Sequence, residues 1–333
     1  MSTPEPVLDL SVIIVSFNTR ELLRNCLSSI FSSITGIAFE VIVVDNASLD
    51  GSPEMVRESF PEVLLIESGT NAGFARANNL AMREARGRYF LLLNSDTVMQ
   101  TSPHPVLDFL DKGQDIGLLG CRIVYGDGSL QKSAWRFPAL TQEWYYFSFE
   151  IIRSFIPALS NLRYRGIHYN SISDADCVSG CSLFIRSELF RLIGGLDERF
   201  FMYYEDTEYG FRARMQTRYR TVYYPHYEIV HYHGKSSNDL KATLRSFRSA
   251  VYYFSKIKGR GRISFFVGAC KASWRFNLAV LSMIGLFLRS NKVADKVDTF
   301  KQLLSSARLL GKGKVESDYA EAEKIPATGC KSS

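Results

Sequence analysis

The chain has 333 residues, 46% hydrophobic and 22% charged, which is material for one large domain or two smaller ones and excludes a disordered chain. Its net charge of +6 is unevenly spread: no acidic residue lies between Asp239 and Asp295, an interval holding 11 Lys and Arg. The six cysteines are scattered, which argues against a disulfide scaffold, and the close pair Cys177 and Cys181, with no second pair, suits a core better than zinc.

The opening MSTPEPVLDL has no basic n-region and no long apolar h-region, so no signal peptide is expected and the chain is placed in the cytoplasm. LSVIIVSFN (Leu10–Asn18) is a continuous apolar run, as for a strand buried on both faces. A helix follows, with Leu22, Leu23, Cys26, Leu27, Ile30 and Phe31 at helical spacing and Asn18 or Thr19 as its N-cap. FEVIVVDNAS repeats the strand pattern, and SPEMVRESF predicts a second helix capped by Ser52. VLLIES predicts a third strand, NAGFARANNLAMREAR a loop and third helix, and YFLLLNSD a fourth strand. This alternation over residues 10–96 predicts a doubly wound, mostly parallel α/β sheet.

Further on, CRIVYGDGSLQKSAWRFP predicts a hairpin about Gly126–Gly128, and residues 141–170 a helix and a mobile loop. A strand near Leu183–Arg186 leads to a helix ending at Gly194-Gly195, and EDTEYGFRARMQ predicts a helix with Glu205, Asp206 and Glu208 in its first turn. The expected organisation is an N-terminal tail (1–9), an α/β domain (10–238), a basic helical extension (239–312) and a flexible tail (313–333). In that extension the uninterrupted apolar part, Phe276–Leu288, is too short to span a bilayer, and the basic charge beside it suits a helix lying on an anionic membrane face. An ordinary core-packing helical hairpin is the alternative. No nucleic-acid partner is expected, since no recognition motif accompanies the charge.

Four strand ends carry polar residues: Ser16-Phe17-Asn18, Asp45 to Asp50, Asn71-Ala72-Gly73 and Asn94-Ser95-Asp96. In a parallel sheet these ends share one edge, where open α/β sheets bind ligands. Each alone also reads as a turn or cap.

Taken in order, SVIIVSFN, VIVVDNASLDGS, NAGFARANN, LLLNSD, GGLDERFFMYYEDTEYGFRAR and HYHGKS resemble the family 2, GT-A fold inverting glycosyltransferases, and most of all their rhamnosyltransferase-like branch. The resemblance covers roughly residues 10–236 and implies a GT-A fold, a nucleotide-sugar donor (dTDP- or UDP-sugar, with dTDP-rhamnose favoured) and a glycan or lipid-linked acceptor in cell-surface polysaccharide synthesis. It also implies residue roles. Ser16, Phe17 and Asn18 would line the base pocket, Asp45 would accept from base or ribose, and Ser48 and Asp50 would stand nearby. Asn71, Gly73 and Asn78 would belong to the loop that approaches the donor.

Asn94-Ser95-Asp96 occupies the place of the family's Asp-x-Asp motif, which presents oxygens to Mg²⁺ or Mn²⁺. Here the first Asp is Asn, so Asp96 is the charged ligand and Asn94 offers only an amide oxygen. His231 of HYHGKS, with His233 as competitor and Gly234 and Ser236 after it, would complete the metal or diphosphate site. The Glu205–Asp206 pair would supply the general base, Asp206 favoured, with the preceding aromatic run as a sugar-stacking wall; an acidic first turn complementing a helix dipole is the alternative. The rivals in other classes are a non-catalytic relative of the same fold and a nucleotidyltransferase. The latter would usually carry a Gly-rich basic loop after strand one, and SFNTRELL has no glycine.

Overall fold

The computed structural model describes residues 8–148, 161–232, 239–287 and 291–310. Residues 1–7, most of the loop expected within 141–170, His233, Gly234, Ser236, Cys330 and the 313–333 tail lie outside the described residues.

The first unit, Met1–Phe137 with Arg163–Ser237, is the α/β part. Its strands are β1 (Leu8–Ser16), β2 (Phe39–Asp45), β3 (Leu64–Glu67), β4 (Gly87–Asn94), β5 (Thr97–Met99), β6 (Ile116–Tyr125), β7 (Leu130–Gln131), β8 (Ala134–Trp135), β9 (Ser173–Ala175), β10 (Cys177–Val178), β11 (Ser182–Arg186) and β12 (Arg220–His231). The helices here are α1 (Arg20–Ser33), α2 (Ser52–Ser59), α3 (Phe74–Glu84) and α4 (His104–Lys112). The main sheet runs β3-β2-β1-β4-β11-β6-β12-β5. The long ladders, β1 with β2 and β4, β2 with β3 and β6 with β12, are parallel, whereas β11 runs antiparallel between β4 and β6. The chain reverses its order of strand addition at β1, between β2 and β4, and such a switch point leaves a crevice at the carboxyl ends.

The apolar runs are continuous because both sheet faces are covered. Val12, Ile14, Val41, Val43, Leu91 and Leu93 face one hydrophobic core with Leu23 and Leu27 of α1. Their neighbours Ile13, Ile42, Val44 and Leu92 face the other, with Ala77 and Ala81 of α3. Helix α2 starts one residue before the expected position: Gly51 takes the cap and the Asp50 carboxylate accepts from both the N–H and the hydroxyl of Ser52. The five described cysteines, Cys26, Cys121, Cys177, Cys181 and Cys270, are free and buried. Beyond β11 come α6 (Ser187–Ile193), which stops at Gly194, and α7 (Glu205–Gln216).

The second unit comprises Pro138–Leu162 and Asn238–Ser333. It holds the remaining short helix α5 (Leu140–Ser148, numbered by its place in the chain) and three long helices, α8 (Asp239–Lys258), α9 (Arg260–Phe287) and α10 (Asn291–Leu310). The end of α5 is tied to α9, where Trp274 Nε1 donates to the Phe147 carbonyl at 2.7 Å and Asn277 Nδ2 to that of Ser148 at 2.6 Å. Among the described residues, no helix is long and apolar enough to cross a membrane.

Candidate active site

Register brings the polar strand ends together. Ser16 pairs with Asp45 across β1 and β2, and Val15 with Asn94 across β1 and β4. At this edge Asn18 and Ala47 take left-handed backbone conformations (φ 54° and 64°), which turn the chain sharply after each strand; Asn tolerates this region and Ala rarely does. The two turns are stitched together. The Asn18 N–H donates to Ser48 Oγ at 2.9 Å, the Leu49 N–H to Asn18 Oδ1 at 2.8 Å, and the Ser48 N–H to Asp45 Oδ2 at 2.8 Å. Phe17 lies exposed beside them.

Asp45 is only 2% exposed, and its Oδ1 has no hydrogen-bond partner among the described residues. An orphaned buried carboxylate oxygen costs free energy unless a ligand donor reaches it. This is where the sequence places a base or ribose contact. Asp50 serves the scaffold: Oδ2 accepts the Arg20 N–H at the start of α1 and Oδ1 the Ser52 N–H. Burial works to raise its pKa, but these bonds outweigh it and the carboxyl lies below its ordinary value.

The loop before α3 is braced by contacts within the protein. Asn71 Oδ1 accepts the Gly73 N–H. The close approach at Gly73 is to Phe201, whose carbonyl also accepts the Phe74 N–H at 2.7 Å, so that glycine makes room for protein. Asn78 is buried and donates back to the Phe74 carbonyl within its own helix, so it serves α3.

Asn94 ends β4, and Ser95 and Asp96 form the turn to β5. Ser95 is buried, and its Oγ accepts from Thr19 Oγ1, which also meets Ser16 Oγ, each at 3.0 Å. Asp96 Oδ1 lies 3.1 Å from His231 Nε2 at the end of β12, and His231 Nδ1 lies 2.8 Å from Gln131 Oε1. When Nδ1 donates to Gln131, Nε2 is left facing the carboxylate, and either a proton on Nε2 or a cation bound by both groups satisfies the pair. Two ligands about 2.1 Å from an octahedral ion and at right angles stand about 3.0 Å apart, so this donor set fits a divalent cation. No group of three or more His, Cys, Asp or Glu stands together as a complete cage among the described residues, and such an ion would take further oxygens from phosphate or water.

The acidic pair opens α7. Just before it, Tyr203 and Tyr204 both adopt positive φ (71° and 68°), a strained conformation for bulky residues that concentrates at functional sites. Asp206 remains half-buried. Its Oδ2 accepts the Gly180 N–H at 3.1 Å, and its Oδ1 the Thr207 N–H at 2.6 Å. Burial raises its pKa against the pull of those bonds. Glu205 points inward: it is buried, its Oε2 has no hydrogen-bond partner among the described residues, and burial together with the Asp206 charge pushes its carboxyl well above the ordinary range. Asp206 is therefore the more accessible of the two carboxylates.

Three contributors escaped the sequence reading. Gln131 sits on a two-residue strand, and only its partner reveals its use. Gly180 holds Asp206, while the next residue, Cys181, accepts the Asn94 N–H through its carbonyl, so one turn fixes both the Asn94 corner and the Asp206 carboxylate. Asn79, buried in α3, exchanges hydrogen bonds with both the N–H and the carbonyl of Leu196. This pins the segment that leads to Phe201 and the tyrosines.

An unsatisfied aspartate, an aspartate–histidine pair and a tethered carboxylate make up the candidate site, and residues 11–189 match the model of glycosyl transferase family 2. The chain belongs to that family and is a glycosyltransferase. It is 28% identical over 262 residues to an N-acetylglucosaminyl-diphospho-decaprenol L-rhamnosyltransferase of Mycobacterium tuberculosis, covering 74% of this chain and 83% of that protein. It is 30% identical over 215 residues to the low-salt glycan biosynthesis hexosyltransferase Agl10 of Haloferax volcanii, over 62% of each chain. In three dimensions it resembles a mannosyltransferase from Pyrobaculum calidifontis solved with GDP-Man and Mn²⁺, at a TM-score of 0.57 and 17% identity, over 93% of this chain and 89% of that one; this last likeness speaks for the GT-A fold.

Proposed function

We propose that the chain transfers a sugar, with dTDP-rhamnose the favoured donor, to a lipid-linked glycan acceptor in polysaccharide synthesis, with inversion at the anomeric carbon. The rhamnosyltransferase relative supports the sugar and the lipid-linked acceptor. The observation that carries the chemistry is the half-buried Asp206, held by Gly180 on the same turn that braces Asn94.

The residues divide the work. Asp45 Oδ1 receives a donor N–H or O–H of the nucleoside, and the Ser16–Asn18 turn lies beside it. Asp96 and His231 would hold Mg²⁺ or Mn²⁺, with Asn94 offering an amide oxygen. That ion, when bound, neutralises charge on the leaving diphosphate. Asp206 takes the proton of the acceptor hydroxyl as its oxygen attacks the anomeric carbon. The carbon–oxygen bond to the diphosphate breaks on the opposite face. Burial first, and the Asp206 charge second, hold the Glu205 carboxyl well above its ordinary range, which disfavours a second negative charge beside Asp206.

The test is transfer to a lipid-diphosphate acceptor with a panel of nucleotide-sugars, with and without EDTA, alongside thermal shifts with the same donors. Turnover with dTDP-rhamnose, lost in EDTA and restored by Mn²⁺, is expected. Turnover with another donor alone would correct the sugar. Full activity in EDTA would remove the metal role. No shift and no transfer with any donor would overturn the proposal.

A further inference from the structure

Helix α9 is apolar on two opposite faces. At 100° per residue, Ile263, Phe266, Cys270, Trp274 and Leu281 share one face, and all are buried. On the other side, Phe265, Gly268, Ala272, Phe276, Ala279 and Met283 follow one another in three- and four-residue steps and form a second stripe, and every one of them is exposed. The large side chains stand well out: Phe265 is 80% exposed, Phe276 66% and Met283 58%. A Cβ added at Gly268 would meet nothing within 4 Å. A continuous exposed apolar stripe of this kind, opposite a face already buried, marks an interaction surface.

Charge selects the occupant. Arg262 and Arg275, both exposed, flank the stripe on opposite sides, and the interval from Asp239 to Asp295 contains 11 cations and no acid. A second copy of the chain would bring the same cations against these. An acidic surface with an apolar interior answers both features, and the helix does not qualify as a membrane span. We infer that α9 lies in the interface of an anionic lipid bilayer, with Phe265, Phe276 and Met283 inserted among the acyl chains and Arg262 and Arg275 at the headgroups. This goes beyond the proposed reaction and does not depend on it.

The experiment is vesicle flotation of the full chain with phosphatidylglycerol-containing or pure phosphatidylcholine vesicles, at low and high salt, with sedimentation analysis in their absence. Strong binding to the anionic vesicles, at least about tenfold weaker binding to the neutral ones, and weakening in salt are expected. Arg262→Gln with Arg275→Gln should lower anionic-vesicle affinity about 30-fold, at roughly fivefold per cation. Phe265→Ser with Phe276→Ser should lose the binding while keeping the helical circular dichroism. Transfer to a short water-soluble acceptor without vesicles should be unchanged in both variants, which separates this inference from the proposed reaction. Equal binding to both vesicle types, or unimpaired binding by the Phe pair variant, would overturn it. So would a dimer abolished by that variant in a chain that ignores vesicles, which would give the stripe to a second copy.

Discussion

His231 Nε2 faces Asp96 Oδ1 at 3.1 Å because its other ring nitrogen is held at 2.8 Å by Gln131. The amide holds the ring's orientation from behind, as outer-shell partners do for an imidazole that ligates a metal. Removing it leaves Asp96 and His231 in the chain but frees the ring. Gln131→Ala should weaken Mn²⁺ binding by roughly 10–100-fold, read by electron paramagnetic resonance of free Mn²⁺. His231 ring nitrogen shifts in the metal-free protein should move as well. Unchanged affinity together with unchanged shifts would make Gln131 a bystander.

Glu205 and Asp206 are adjacent, so on a helix they point about 100° apart; one is closed in and the other half-buried. Asp206→Asn keeps the shape and removes the basicity. It should cut turnover by roughly 10²–10⁴-fold and leave nucleotide-sugar affinity near that of the wild type. Glu205→Gln should cost less in turnover. Rates and affinities of both variants check this. A fully active Asp206→Asn beside a dead Glu205→Gln reverses the assignment, and two active variants make the pair a helix cap.

Glu205 also predicts a pH dependence. Its folded pKa is raised by burial first and by the Asp206 charge second. The folded state therefore holds its proton more tightly than the unfolded chain. Stability is greatest below the unfolded value, about 4.3, and falls as pH rises through the window up to the raised folded value, by at most about 1.4 kcal/mol per pH unit. Glu205→Gln removes that slope. The melting temperature of the variant relative to wild type should climb as pH increases above about 4.3. A constant difference between pH 4 and 8 would show that Glu205 titrates normally.

The parts of the fold that could be read from sequence were those whose signal is local. The continuous apolar runs of β1, β2 and β4 declare strands covered on both faces, and their polar ends declare the edge where Asp45 and Asp96 stand. Strand β12 was not legible, because Pro225 interrupts RTVYYPHYEIVH and the ladder shifts register between Tyr224 and Glu228. Short β5 and α4 left too little periodicity. Within the site, Asp96 and His231 were nameable by motif, but their contact depends on β12 lying beside β5. Gln131, Gly180 and Asn79 act through partners far along the chain, and nothing in their own neighbourhoods announces them. Gly73 was legible as a position needing glycine, and the reason came only with Phe201.

That reason can be tested against a second glycine in the same loop. Gly69 and Gly73 both take positive φ, 70° and 82°. A Cβ at Gly69 would meet nothing within 4 Å, whereas at Gly73 it would stand 2.4 Å from the Phe201 carbonyl oxygen and 2.8 Å from its ring. Gly69→Ala therefore carries only the left-handed backbone penalty, about 1 kcal/mol. Gly73→Ala carries that penalty and must also push Phe201 away, breaking the hydrogen bond from the Phe74 N–H and disturbing the strained tyrosines ahead of Glu205 and Asp206. Chemical denaturation should show Gly73→Ala losing at least about 2 kcal/mol more than Gly69→Ala, the range for overpacking a tight site. Turnover should fall with it, while Gly69→Ala stays near wild-type rate. If the two variants behave alike in both measurements, the Phe201 contact does not hold the segment that leads to Glu205 and Asp206.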